Sequence, residues 1–121
     1  MALKRLPDAL TVCKLRDIAQ IDLAAPFYFI GRTDAELSLV CRTCDTPAET
    51  LAREDGWRGF VIEGELDFSL IGILAEISGL LAKEKIGIFA VSTYNTDYIL
   101  VKEENFERAA KALACAGHTV L

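Results

Sequence analysis

Residues 66–75, Leu66-Asp67-Phe68-Ser69-Leu70-Ile71-Gly72-Ile73-Leu74-Ala75, decide how this chain folds. A strand ends there, a short polar turn follows, and a helix starts almost at a glycine. Between Leu70 and Glu84 the apolar residues Leu70, Ile73, Leu74, Ile77, Leu80 and Leu81 recur at the spacing of one buried helix face. Gly72, Ala75, Gly79 and Ala82 run beside that stripe, a line of small residues that permits close approach of another element. Upstream, Trp57 to Glu65 reads as a strand with Phe60 and Ile62 on one face and Val61 on the other. Downstream, Ile86 to Thr93 is a strand apolar on both faces, and Ser92-Thr93-Tyr94-Asn95-Thr96-Asp97-Tyr98 is a hydroxyl-rich hairpin. Tyr98 to Lys102 is the return strand. A second helix follows, with Asn105 as its N-cap, Phe106, Ala109, Ala110 and Leu113 facing inward, and Gly117 as its stop. Thr119 to Leu121 is a last short strand.

The order is βαββαβ, a ferredoxin-like α+β arrangement over residues 56–121, with both helices on one face of the sheet. Residues 1–55 read as a degenerate copy. They supply short strands at Ala9–Leu15, Phe27–Ile30 and Leu37–Arg42, with turn chemistry at Gly31-Arg32-Thr33-Asp34, but no good first helix. Thr46-Pro47-Ala48-Glu49 has the form of a capping box and predicts a short helix ending before Gly56. Because the sheet is apolar on both sides, its second face needs cover, from the other half or from another chain.

Composition narrows the function classes. The chain has 121 residues, 52% of them hydrophobic, with a mean hydropathy of +0.29, enough for a core and for an interface besides. A net charge of −5 excludes the clustered basic surface of a nucleic-acid or anionic-membrane partner. The start, Met1-Ala2-Leu3-Lys4-Arg5-Leu6-Pro7, lacks the apolar core of a secretory signal, and Phe68–Ala82 is too short and too interrupted to span a bilayer. A cytoplasmic protein is the expectation. Cys41-Arg42-Thr43-Cys44 has the spacing of a redox pair or half a zinc site. It falls at a strand end, no second such pair exists, and His118 is the only histidine, so the thiols read as structural and no metal or cofactor is expected. No nucleophile meets a base and no glycine-rich phosphate loop exists, so no catalytic residue is assigned.

One juxtaposition points to a ligand. If the helix start and the hairpin lie side by side, bare backbone N–H groups meet a cluster of side-chain oxygens. That pairing suits a small zwitterion, its carboxylate on the helix start and its ammonium on the oxygens. Gly72 leaves room at the first-turn amides, and Asp97 offers a charged acceptor. Each residue also has a plainer reading. Gly72 serves helix packing, Asp97 the hairpin turn, Asp67 a turn or the helix cap, Ser69 the helix cap, Thr93 and Tyr94 the strand, His118 the start of the last strand, and Trp57 the core or an interface.

Trp57, Gly64-Glu65-Leu66-Asp67-Phe68, Gly72-Ile73-Leu74-Ala75, Ser92 to Asp97 and Ile99-Leu100-Val101 together resemble the ACT-domain family. Within it they are most similar to short bacterial tandem-ACT proteins and the CASTOR-type arginine sensors. The first half joins this resemblance only through Glu36-Leu37-Ser38-Leu39-Val40. The resemblance implies amino-acid binding at the first helix start and the adjoining hairpin, between two ACT units, and hence a homodimer. Carried over, the ligand-binding positions are Asp67, Phe68, Ser69, Leu70, Ile71, Gly72, Ile73, Thr93, Tyr94 and Asp97. Arginine-binding relatives place an acid where this chain has Leu70, so the resemblance implies a smaller or apolar amino acid. The competing reading is an oligomerisation or protein-interaction module with a vestigial groove.

Overall fold

The computed structural model describes residues 1–63 and 72–121. They form two compact units, one of Met1–Pro7 with Arg58–Leu121 and one of Asp8–Trp57. The chain is a mixed α+β protein.

In the first unit the strands are β1 (Ala2–Arg5), the end of β5 (Ala52–Ile62), β6 (Phe89–Ser92), β7 (Asp97–Lys102) and β8 (Thr119–Val120); the helices are α1 (Ile73–Lys83) and α2 (Phe106–Cys115). From β5 onward the order is the expected βαββαβ. The sheet runs β6-β7-β5-β1-β8, so β1 lies between β5 and β8. It pairs antiparallel with β5, Leu3 opposite Ile62, and parallel with β8, Leu3 opposite Val120. A four-residue strand with one core residue, Leu3, is too short to show a periodicity, which is why the sequence did not reveal it. Alternation places Phe60, Ile62, Ile99 and Val101 on one face, where they meet Ile77 and Leu81 of α1 and Phe106, Ala109, Ala110 and Leu113 of α2 in a single cluster. Ile73, Leu74 and Leu80 pack at its margin. The guanidinium of Arg58 sits 4.5 Å over the Phe106 ring.

The two helices end in the same way. Ile86 N–H donates to the Leu81 carbonyl and Lys85 N–H to that of Ala82, each at 2.9 Å; His118 N–H donates to Leu113 and Gly117 N–H to Ala114. Both are closures of the Schellman type, which need a left-handed residue past the helix end. Gly117 fills that place at φ +100°, and Lys85 fills its counterpart at φ +59°.

The second unit holds β2 (Leu10–Leu15), β3 (Tyr28–Arg32), β4 (Leu37–Arg42) and the first part of β5, in the order β3-β4-β2-β5, all antiparallel. Its core is Cys13, Leu15, Ile21, Leu37, Leu39 and Cys41, with Tyr28 against it. The helix expected after Thr46 does not form. The Thr46 hydroxyl turns back toward the Arg42 carbonyl, 3.4 Å away, instead of capping forward, and Thr43–Asp45 makes a short 3-10 turn held by an Arg42–Asp45 ion pair of 2.7 Å. The chain beyond is drawn into β5, with Ala52, Arg53 and Glu54 opposite Lys14, Cys13 and Val12. Ladder pairing outweighs a local capping signature. Gly56 is therefore not a helix stop. It lies at φ +81° where two residues of β5 face one of β2, the place of a bulge.

Candidate functional site

Helix α1 starts without a side-chain cap among the described residues. Gly72 stands at its N-cap position at φ +83°, and the first helical bond runs from Glu76 N–H to the Gly72 carbonyl, 2.8 Å. The amides of Ile73, Leu74 and Ala75 thus precede the helical ladder and carry the positive end of the dipole. A Cβ on Gly72 would meet nothing within 4 Å among the described residues. Backbone conformation, not crowding, requires glycine here. Gly79 is equally open, and Ala75, Gly79 and Ala82 are exposed, so the close approach this line permits is not found among the described residues.

The hairpin between β6 and β7 is closed by one residue pair. Thr93 N–H and the Thr93 hydroxyl both donate to the Thr96 carbonyl, at 2.8 and 2.9 Å, and Thr96 N–H returns to the Thr93 hydroxyl at 3.4 Å. The Thr96 hydroxyl donates to the Ile62 carbonyl, 2.8 Å. This last bond ties the turn to the end of β5, the strand that leads toward α1. Thr96 was not among the residues picked out by sequence, because a threonine in a turn carries no mark of what its hydroxyl will meet.

Of the sequence-derived positions, Asp67, Phe68, Ser69, Leu70 and Ile71 lie outside the described residues. Gly72 and Ile73 form the helix start. The Thr93 hydroxyl is engaged in the turn, Tyr94 is 81% exposed, and Asp97 is half-buried opposite Ser92 at the start of β7.

Beyond α1's first turn lies His118. Its side chain is 6% exposed, and its Nε2 lies 3.3 Å from Glu76 Oε1, yet neither ring nitrogen makes a hydrogen bond of acceptable geometry among the described residues. All four cysteines are free. Cys41 is buried in β4 and Cys44 exposed in the 3-10 turn, so the C-x-x-C spacing straddles a strand end. Burial pushes the Cys13 thiol from 9.0 up to about 11, helped by neighbouring Cys41, and burial raises Cys41 as well. No group of three potential metal ligands exists among the described residues, and none of their helices is long and apolar enough to cross a membrane.

The element order and the two helices on one sheet face define a ferredoxin-like α+β domain, and comparison with known proteins gives its family. The sequence profile of the ACT domain matches residues 52–115. The chain belongs to the ACT-domain family, whose members are regulatory small-molecule-binding modules. Protein Atu0741 from Agobacterium tumefaciens is 35% identical, with a TM-score of 0.87 over 99% of this chain and 91% of that one. The regulatory subunit of aspartate kinase from Thermus thermophilus, in its ligand-free form, shares the fold at a TM-score of 0.64 and 11% identity, covering 97% of each chain. Aspartate kinase of Clostridium acetobutylicum does so at 0.65 and 16% identity, over 94% of this chain and 33% of that one. No curated protein sequence matches the chain.

Proposed function

We propose that this chain is a non-catalytic regulatory module that binds a free amino acid or a similar small zwitterion, acting as a cytoplasmic homodimer. The ligand carboxylate would take the amides that open α1, and its ammonium the Asp97 carboxylate, with Asp67 to Ile71 completing the recess and Tyr94 at its rim. Residues 1–55 are in this reading a degenerate ACT-like copy beside the ACT domain of 56–121, as in short tandem-ACT proteins and CASTOR-type sensors. The observation that carries the reading is the Thr96 hydroxyl on the Ile62 carbonyl. It holds the hairpin against the end of β5, which supports the reading that the turn and the start of α1 share one site.

Calorimetry and thermal shift against the standard amino acids test this. One small or apolar amino acid is expected to bind at about millimolar or tighter affinity, and Thr96→Val to weaken it about tenfold or more by releasing the turn. Silence with every amino acid at millimolar concentration would remove the sensor reading. The interaction-module alternative is favoured by one observation, the engagement of the Thr93 hydroxyl within its own turn. Under that alternative Asp97→Ala leaves every small-molecule response unchanged while self-association survives.

A further inference from the structure

Helix α2 presents Arg108, Lys111, Ala112 and Cys115 along one face, at i, i+3, i+4 and i+7. With Glu84, which follows the last turn of α1, they line a cleft of ≈ 300 Å³. Clefts of that size lie at the lower end of the small-molecule range. Three other clefts lined by described residues are smaller, at ≈ 180 Å³ or less.

The lining carries more positive than negative groups. The protein carries a net charge of −5, yet two cations meet here against one carboxylate, that of Glu84. Arg108 is held in place. One Nη donates to the Glu84 carbonyl and the other to Asn105 Oδ1 at 2.9 Å. Two of its five N–H donors are spent on neutral oxygens, which fixes the guanidinium fork, and Arg108 forms no ion pair among the described residues. Lys111 forms no ion pair among the described residues. A fixed guanidinium and an exposed ammonium on one wall of a recess are the pairing that recognises an oxyanion.

We propose that this cleft is a binding site for a small oxyanion-bearing metabolite, a carboxylate or a phosphate, held by Arg108 and Lys111. Glu84 adds an acceptor for a ligand that also carries an ammonium, and Ala112 and Cys115 restrict it to a small one. The proposal is independent of the reading given to the start of α1, since none of these residues belongs to that site.

Cys115 supplies the readout. It and Cys44 are the exposed thiols, whereas Cys13 and Cys41 are buried. In a Cys44→Ser background the rate of iodoacetamide alkylation therefore reports on the cleft. Glycine, acetate and inorganic phosphate are the probes, and the one that protects names the source of the oxyanion. At least one is expected to slow alkylation about threefold or more, saturably, at millimolar concentration. Lys111→Glu is expected to abolish that protection, and Thr96→Val to leave it intact. Lys111 is exposed and ties no element to another, so its variant keeps the fold. Alkylation indifferent to all three probes, or protection unchanged by Lys111→Glu, overturns the proposal.

Discussion

The two units of this chain solve the same problem with different means. Met1–Pro7 with Arg58–Leu121 covers its sheet with two amphipathic helices and buries an aromatic pair, Phe60 and Phe106, whose rings lie 4.8 Å apart. Asp8–Trp57 has no α-helix. Its core is drawn from strands and a short turn and includes two thiols, Cys13 and Cys41. Polar ties add to its strand ladders. The hydroxyl of fully buried Thr11 donates to Asp55 at 2.7 Å and lies 2.9 Å from that of Thr43, and Arg53 Nε donates to Asp55 at 2.9 Å. Hydrophobic burial scales with apolar area, whereas such hydrogen bonds contribute about 1 kcal/mol each. The helical unit should therefore be the stable one, and the smaller unit should open first.

Core truncation is the strongest way to break that contrast. Phe60→Ala is expected to cost about 3–5 kcal/mol, because it removes a fully buried ring from the larger cluster. Leu39→Ala, equally buried in the smaller cluster, is expected to cost about 2–4 kcal/mol of local stability. Hydrogen exchange separates the two. Phe60→Ala accelerates amides throughout the chain, and Leu39→Ala mainly those of residues 8–57. Equal acceleration of both regions by Leu39→Ala would mean one cooperative unit and would end the comparison.

The thiols give a second, smaller handle. Cys13 stays protonated in the folded chain up to about 11, while an unfolded chain loses that proton near 9.0. The folded-state value is raised, so the contribution is fully present below 9.0. Above it the unfolded state binds fewer protons, and stability falls as pH rises toward 11. The gap amounts to about 3 kcal/mol at most. Urea midpoints followed from pH 8 to about 11 should fall, and Cys13→Ala should flatten the fall while lowering the neutral-pH value by about 1 kcal/mol. A slope that Cys13→Ala leaves unchanged would assign the alkaline loss elsewhere.

How much of this was legible follows the same division. The helical unit announced itself: the stripe of Ile73, Leu74, Ile77, Leu80 and Leu81, the inward set Phe106, Ala109, Ala110 and Leu113, and Gly117 as a stop are all visible as periodicity or as one residue's backbone freedom. The smaller unit spoke less clearly. Leu37–Arg42 alternates and was readable, but Thr46-Pro47-Ala48-Glu49 carried a true local preference for a helix that pairing with β2 overrode. Leu3 was invisible because one core residue between polar neighbours has no period. At the candidate site, Gly72 could be recognised, but its backbone conformation, φ +83°, could not be read from sequence. Thr96 and His118 could not be assigned, because their meaning lies in what they meet, Ile62 and Glu76, far away in sequence.

The smallest expected effect sharpens the contrast instead of breaking it. The helices α1 and α2 close with the same pair of backbone bonds, yet one uses Lys85 in the left-handed region and the other Gly117. A side chain there costs about 1 kcal/mol relative to glycine, less what glycine loses in unfolded-state entropy. Lys85→Gly should thus stabilise the helical unit by about 0.5 kcal/mol, and Gly117→Ala should destabilise it by about 1 kcal/mol. Both act only where helices exist, so neither should change the local opening of residues 8–57. The two substitutions, read by thermal melting and by amide exchange, form an opposed pair on one motif. If Lys85→Gly lowers the melting temperature, the lysine contributes something the glycine cannot. Its four-carbon stem and its charge at the negative end of α1 would be the terms to weigh.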